Sequence, residues 1–269
     1  MTSIFSRALD QSVSSSISPT ARVHVMQEDS KNPLESFRSV NVCGTEHLAR
    51  MAIEKAVKRF VYISSISIHG NSTDNRSYVE QDEVQPHSPY AVSKWEGEQV
   101  LREIEKQNDM EVVIIRPPLV YGPGVGGNFL RLMTWAEKGV PLPLGSIQNK
   151  RSFIGIDNLA GLIERCVSSS NAAGETFVAS DGEDLSTPDL LKMVAMFMGK
   201  RARIFPFPVQ LIRMAGKLGG KEAIVDRICN SLRVDASKAR DLLKWKPAIS
   251  LEDGLKNTVQ WYVDTRRNV

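Results

Sequence analysis

An α/β fold built on a parallel sheet is predicted by three features of the sequence. Strand-like apolar runs at residues 60–64 and 111–116 flank a helical stretch that starts at Pro89 and continues past Trp95, Val100 and Leu101. Two strands joined through a helix of that length pair in parallel, by a right-handed crossover. The first run ends in a serine cluster, Ser64, Ser65 and Ser67, and the carboxyl end of a parallel strand is where open α/β sheets place their chemistry. Beyond Gly126 the elements become shorter and the loops more frequent, which predicts a smaller α+β lobe after the sheet.

Bulk properties bound the function. A chain of 269 residues and 29.9 kDa can bury a large core. Its 34 basic and 31 acidic residues form no long run of one sign, so nothing points to nucleic acid. Cys43, Cys166 and Cys229 are odd in number and lack metal spacing, and His24, His47, His69 and His87 are scattered. That usage predicts a reducing compartment, the cytoplasm, and no metal site. No apolar run approaches the roughly eighteen residues of a membrane span, and the serine-rich residues 1–19 lack the apolar core of a secretory signal.

In chain order, residues 1–10 are expected to form at most one or two helical turns. The polar tract of Ser12, Ser14, Ser15, Ser16 and Ser18 is expected to be disordered or a loose edge. Asn32, Pro33 and Glu35 resemble a capping box, and Leu34, Phe37, Asn41, Gly44, Leu48 and Ala52 share one helical face. The polar Asn41 in that stripe needs a partner, and Gly44 is expected to allow close approach to the sheet. Residues 71–87 read as a polar surface loop in which Glu80 and Asp82 are solvated.

Gly122-Pro123-Gly124-Val125-Gly126-Gly127 satisfies G-x-G-x-x-G ahead of a helix from Phe129. Pro123 removes an amide that a phosphate cradle would use, and Pro117 and Pro118 separate the glycines from the preceding strand, so a cofactor loop is disfavoured. Ile156, Leu159, Ala160, Leu162 and Ile163 predict a helix, 176–179 a short strand, and Ser186 caps a helix whose methionines are expected in the core. Arg201 and Arg203 read as an exposed linker, and Trp245 and Trp261 as anchors of the last helices.

The candidate chemistry centres on Ser88-Pro89-Tyr90-Ala91-Val92-Ser93-Lys94. Ser88 can cap and Pro89 fits the first helical position. The i, i+4 spacing places Tyr90 and Lys94 on one face, where the ammonium is expected to favour the phenolate. Working as a base near neutrality would take about 4 kcal/mol of such stabilisation from a phenol whose free pKa is about 10. An ordinary helix start would present the same pair.

A serine behind a strand, followed by Tyr-x-x-x-Lys at a helix start, resembles the extended short-chain dehydrogenase/reductase superfamily, in its branch of NAD-dependent nucleotide-sugar epimerases and dehydratases. Further blocks fall in the same order: Asn41-Val42-Cys43-Gly44-Thr45, Arg116-Pro117-Pro118-Leu119-Val120-Tyr121-Gly122-Pro123-Gly124, Arg151-Ser152-Phe153-Ile154-Gly155-Ile156-Asp157-Asn158, and Asp235-Ala236-Ser237-Lys238 before Trp245. The resemblance runs from about residue 21 to the C-terminus. It implies a Rossmann-like, doubly wound parallel sheet with a smaller C-terminal α+β substrate lobe. It also implies N-terminal truncation, because the strand and glycine-rich turn that open such folds have no counterpart. On this reading residues 1–20 are disordered or unrelated. Residues 21–125 are the remainder of a dinucleotide-binding domain, rejoined by about 151–180, and 126–269 are mostly substrate lobe.

The resemblance assigns catalysis to Ser65, Tyr90 and Lys94, with Ser64 as rival to Ser65. It assigns cofactor contacts to Asn41, Ser64, Tyr90, Lys94 and Pro117, and substrate contacts to Ser65, Ser67, Asn128, Arg151 and Arg233. For Asn41 a purely structural bond to backbone is equally open. The cofactor implied is NAD, with NADP open and binding expected to be weak without the opening segment. The substrate implied is a UDP-sugar and the assembly a homodimer. Dehydratases carry Asp-Glu after the serine, where this chain has Ile66 and Ser67, so water elimination is disfavoured. Leu119 stands where several 4-epimerases place an asparagine against the sugar. The expected activity is C4 epimerisation through a transient 4-ketone in bacterial surface-polysaccharide synthesis. A UDP-4-keto-sugar reductase and a catalytically silent fragment that binds sugar nucleotide or a partner subunit are the alternatives.

Overall fold

A computed structural model describes residues 32–267. The expectations for residues 1–31 lie outside the described residues. The first described element is a continuous helical rod in three parts: α1 (Pro33–Arg38), a π-helical turn (Ser39–Gly44) and α2 (Thr45–Glu54). Asn32 makes no side-chain cap bond, and the π turn shifts the register, so Leu48 ends 38% exposed instead of sharing the buried face of Phe37.

The main sheet takes the order β1 (Arg59–Ile63), β2 (Glu111–Arg116), β5 (Thr176–Val178), all parallel. The helix α3 (Pro89–Gln107) makes the crossover from β1 to β2, and Ser88 caps it by accepting from the Ala91 amide at 3.2 Å. β2 is apolar at every interior position because both its faces are covered. Val112 and Ile114 face Ala49 of α2 and Leu101 and Ile104 of α3. Val113 and Ile115 face α5 (Ile156–Ser168) through Leu159, Leu162 and Cys166, and α9 (Ser237–Leu243) through Ala239 and Leu243. Helices on both faces make the sheet doubly wound, as predicted.

A second sheet, β3 (Leu119–Tyr121), β4 (Arg151–Gly155) and β6 (Asp184–Leu185), pairs β3 and β4 in parallel and β4 and β6 antiparallel. It packs on α4 (Gly127–Lys138), α6 (Thr187–Phe197) and α10 (Leu251–Arg267), whose Phe129, Met133, Val194, Leu255 and Val259 form one apolar cluster. The helices α7 (Val209–Leu218) and α8 (Glu222–Cys229) close this end against Leu144, Ile147 and Leu191. The turn from Gly122 to Gly126 joins β3 to α4; Gly122 sits under Ile156, where a Cβ would lie 2.3 Å from a methyl carbon. Trp245 is buried and Trp261 half-buried.

Three local expectations are corrected. Close approach to the segment of Asn41 is allowed by Gly97, whose Cβ would lie 2.5 Å from the Asn41 carbonyl oxygen, whereas Gly44 has only ordinary contacts. Met196 is 57% exposed, since it falls on the outer face of α6. Glu80 is not a solvated charge: it accepts from the Val178 amide at 2.8 Å, and burial raises its pKa.

Candidate active site

The site forms where β1 and β2 end. Past β1, the Ser64 amide donates to the Ile115 carbonyl at 2.7 Å and the Ile66 amide to the Pro117 carbonyl at 3.0 Å. This pairing holds the serine segment in line with β2. Ser65 then caps a single 3₁₀ turn, Ile66–Ile68: its Oγ accepts from the Ser67 amide at 3.2 Å and lies 2.9 Å from Ser67 Oγ. Ile66 points into an apolar cluster with Val178, Leu232 and Val234, so this position offers no acid.

The N-terminal turn of α3 brings Tyr90 to that serine. The Tyr90 hydroxyl lies near the Ser65 side chain, and its ring meets Phe37 edge-on with centroids 5.6 Å apart. Lys94, one turn on, is buried and donates to the Ile63 carbonyl at 2.9 Å, with its ammonium 4.8 Å from the centre of the Tyr62 ring. The electrostatics differ from the sequence expectation. Burial pushes the Tyr90 phenol above its ordinary value, opposed by the Ser65 hydrogen bond. Burial likewise holds Lys94 down, to about 8, against the pull of Glu98. Desolvation therefore outweighs the helical spacing of the pair.

Asn41 closes the back of the site. The π turn aims its side-chain amide at Ser93 Oγ at 2.9 Å, and Ser93 in turn donates to the Tyr90 carbonyl at 2.9 Å. The Asn41 carbonyl accepts from the Tyr62 hydroxyl at 3.4 Å, over the space that Gly97 leaves. Among the described residues two buried side-chain polar atoms have no partner, Asn41 Oδ1 and Ser64 Oγ. Both belong to the segments that frame Tyr90. Unsatisfied buried acceptors and hydroxyls are uncommon and call for a polar ligand or water, so these residues fit a polar cofactor lying across the end of the sheet.

Sequence reasoning missed a buried network behind the site. Glu98, one turn beyond Lys94, forms a bidentate pair with Arg116 at the end of β2, at 2.6 and 3.0 Å. Arg116 also reaches His69 Nε2 at 3.1 Å and donates to the Glu80 carbonyl at 2.8 Å. Burial and the Arg116 charge lower the His69 pKa. The network joins the helix carrying Tyr90 and Lys94 to the turn carrying Ser65. The i, i+4 relation of Lys94 and Glu98, and a charged residue ending the apolar run of β2, were its only signals in the sequence.

Of the proposed substrate residues, Ser65 and Ser67 lie after β1, and Arg151 alone lies in a strand of the second sheet. Arg151 opens β4, donates to the Asn230 carbonyl at 3.0 Å, and has no carboxylate partner among the described residues. Burial and the nearby Arg227 depress it to about 10, which marks an uncompensated cation. Arg233 is beside it in space but engaged, with Nε 3.0 Å from Asp184. The strand-like residues 231–234 tie this edge to the 71–87 loop through Thr73 and Tyr78. Next to it lies a polar recess of about 360 Å³ lined by Ser72, Asp74, Arg213, Asn230 and their neighbours. Asn128 is exposed in the first turn of α4, and no hydrogen bond joins it to the other candidates among the described residues.

A doubly wound parallel sheet with Ser65 after β1 and Tyr90 and Lys94 on the crossover helix is the setting of a nucleotide-binding enzyme fold, and the comparisons with known proteins name the family. The "NAD dependent epimerase/dehydratase family" model matches residues 4–179, and the chain belongs to that family of enzymes. It is 44% identical to the UDP-glucose 4-epimerase of Vibrio cholerae over 245 residues, which is 90% of this chain and 75% of that protein. It is 26% identical to the N-acetyl-alpha-D-glucosaminyl-diphospho-ditrans,octacis-undecaprenol 4-epimerase of Escherichia coli O157:H7, over 95% of this chain and 80% of that protein. Among solved structures, the dTDP-glucose 4,6-dehydratase DesIV of Streptomyces venezuelae superposes with a TM-score of 0.73 at 25% identity, covering 92% and 72% of the two chains. The UDP-glucuronic acid 4-epimerase of Bacillus cereus, solved with NAD, shares the fold with a TM-score of 0.70 at 24% identity, over 86% of this chain and 70% of that one.

Proposed function

We propose that this enzyme interconverts UDP-sugars epimeric at C4, with NAD as cofactor. The observation that carries the reading is the convergence of Ser65, after β1, with Tyr90 and Lys94 of the crossover helix at the carboxyl end of the parallel sheet, in a chain 44% identical to a UDP-glucose 4-epimerase. NAD, when bound, supplies the acceptor and later donor for the C4 hydride and a cationic ring that offsets the burial of the phenol. Tyr90 takes the proton of the 4-hydroxyl and returns it after the ketone has turned over. Ser65 donates to the same oxygen, and Lys94 holds its charge beneath the site. Asn41, Ser64 and Pro117 complete the cofactor side, with Asn41 Oδ1 and Ser64 Oγ free to accept or donate.

Arg151 would meet the diphosphate, because it is a half-buried cation with no carboxylate partner among the described residues. Arg233 would share it by exchanging Asp184 for phosphate, and Ser67 and Asn128 would approach the sugar and nucleotide. The apolar setting of Ile66 supports epimerisation over dehydration. Leu48 and Met51, 38% and 45% exposed on α2, support a homodimer through that helix. A role in bacterial surface-polysaccharide synthesis fits the likeness to the diphospho-undecaprenol 4-epimerase.

The test is proton NMR of UDP-glucose and UDP-N-acetylglucosamine incubated with the chain and NAD. Appearance of the C4 epimer without net NADH supports the reading. Consumption of NADH with a 4-keto sugar, and no epimerisation, would assign the reductase instead. No turnover and no NADH binding by calorimetry would overturn both.

A further inference from the structure

Residues 200–227 hold seven basic side chains and two acidic ones, a net +5 against +3 for the whole chain. The remainder therefore sums to −2, and the positive charge of the protein is gathered in the segment that contains α7 and α8. This segment also presents apolar surface. The inner face of α7 carries Val209 and Ile212, which pack toward Leu144 and Leu191. It also carries Gly216, where a Cβ would lie 2.5 Å from the Val225 side chain. The outer face carries Leu211, Met214 and Leu218, at i, i+3 and i+7, exposed by 43, 55 and 83%. Ile224 of α8, 43% exposed, extends the stripe.

A helix that only covers its own core needs one apolar face. A second such face rimmed by lysines is the arrangement of a helix lying in a membrane interface. Arg213 is engaged by Asp226 at 3.2 Å and Asn230 at 2.6 Å, whereas Lys217 and Lys221 have no carboxylate partner among the described residues and stay free for an anion. Self-association through this face would set lysines against lysines, which opposes it.

We propose that α7 and α8 form a docking surface for an anionic phospholipid bilayer. Leu211, Met214, Leu218 and Ile224 enter the boundary between headgroups and acyl chains, and Lys217 and Lys221 meet the lipid phosphates. The surface is independent of the catalytic reading: it holds whatever the substrate.

The experiment is co-sedimentation of the full chain with vesicles of phosphatidylglycerol and phosphatidylcholine, and with vesicles of phosphatidylcholine alone. Binding to the mixed vesicles only is expected. The double variant Met214→Glu/Leu218→Glu, on exposed positions that leave the fold intact by circular dichroism, is expected to lose at least about tenfold in binding. Lys217→Gln and Lys221→Gln should each lose about fivefold. Absence of binding to anionic vesicles overturns the proposal. Undiminished binding of the glutamate double variant does so too, since adsorption would then be purely electrostatic or lie elsewhere. A dimer in sedimentation equilibrium that Leu218→Glu dissociates would assign the face to a second copy and also overturn it.

Discussion

Lys94 shows how a single residue trades stability for chemistry. Its pKa of about 8 lies below the ordinary 10.5 because the ammonium is buried. Below pH 8 both folded and unfolded chains hold the proton, and the full desolvation cost, about 3 kcal/mol, is present. Between about pH 8 and 10.5 the unfolded chain binds a proton that the folded chain does not, so stability rises with pH. Lys94→Met is therefore expected to stabilise the fold by about 2 kcal/mol at pH 7, after about 1 kcal/mol is subtracted for the lost bond to Ile63. The advantage should shrink toward pH 10, as chemical denaturation at the two pH values would reveal. Tyr90→Phe is expected to leave the melting temperature nearly unchanged and to reduce C4 turnover by about 10³-fold, measured by NMR. Retention of more than a tenth of the activity would remove Tyr90 as the base.

At the scale of elements, the π turn, α3 and β2 must hold their spacing for the site to exist. Gly97 is the contact point of α3 with the π turn, and a methyl group there would sit 2.5 Å from the Asn41 carbonyl and 2.6 Å from the Tyr62 hydroxyl. Gly97→Ala is expected to cost about 1–3 kcal/mol in a denaturant titration and to lower turnover by displacing Asn41 from Ser93. The Glu98–Arg116 pair locks α3 to the end of β2 with side chains only 1% and 7% exposed. Glu98→Gln or Arg116→Met alone leaves a buried group uncompensated and should cost about 3–5 kcal/mol, while Glu98→Met/Arg116→Met together should recover most of it. A double variant no more stable than the singles would show that the pair itself carries the loss.

At the scale of the whole molecule, Tyr90 stands on the crossover helix of the first sheet and Arg151, without a carboxylate partner among the described residues, on the second. Arg151→Leu is expected to raise KM for a UDP-sugar roughly tenfold or more with kcat little changed, since a charge-assisted contact of about 1.5–3 kcal/mol is removed far from C4. A fall in kcat at constant KM would place Arg151 at the reacting carbon instead.

The sequence alone determined the parallel sheet, because β2 is apolar at every interior position and follows a helix that returns the chain from β1; its doubly wound form was implied by the family resemblance. It also placed a serine cluster at a strand end and Tyr90 at the opening of the crossover helix, while the choice of Ser65 as the partner of Tyr90 was implied by the resemblance. These are local patterns of period and punctuation, legible without knowing what touches what. The protonation of Tyr90 and Lys94 was not legible: i, i+4 spacing argued for a lowered phenol, and burial decided the opposite. The π turn under Asn41, the role of Gly97, the burial of Glu80 and the Glu98–Arg116–His69 network were decided only by tertiary structure. Each depends on groups distant in the chain sharing a space that water has left, and desolvation is a property of that space and not of any residue in it.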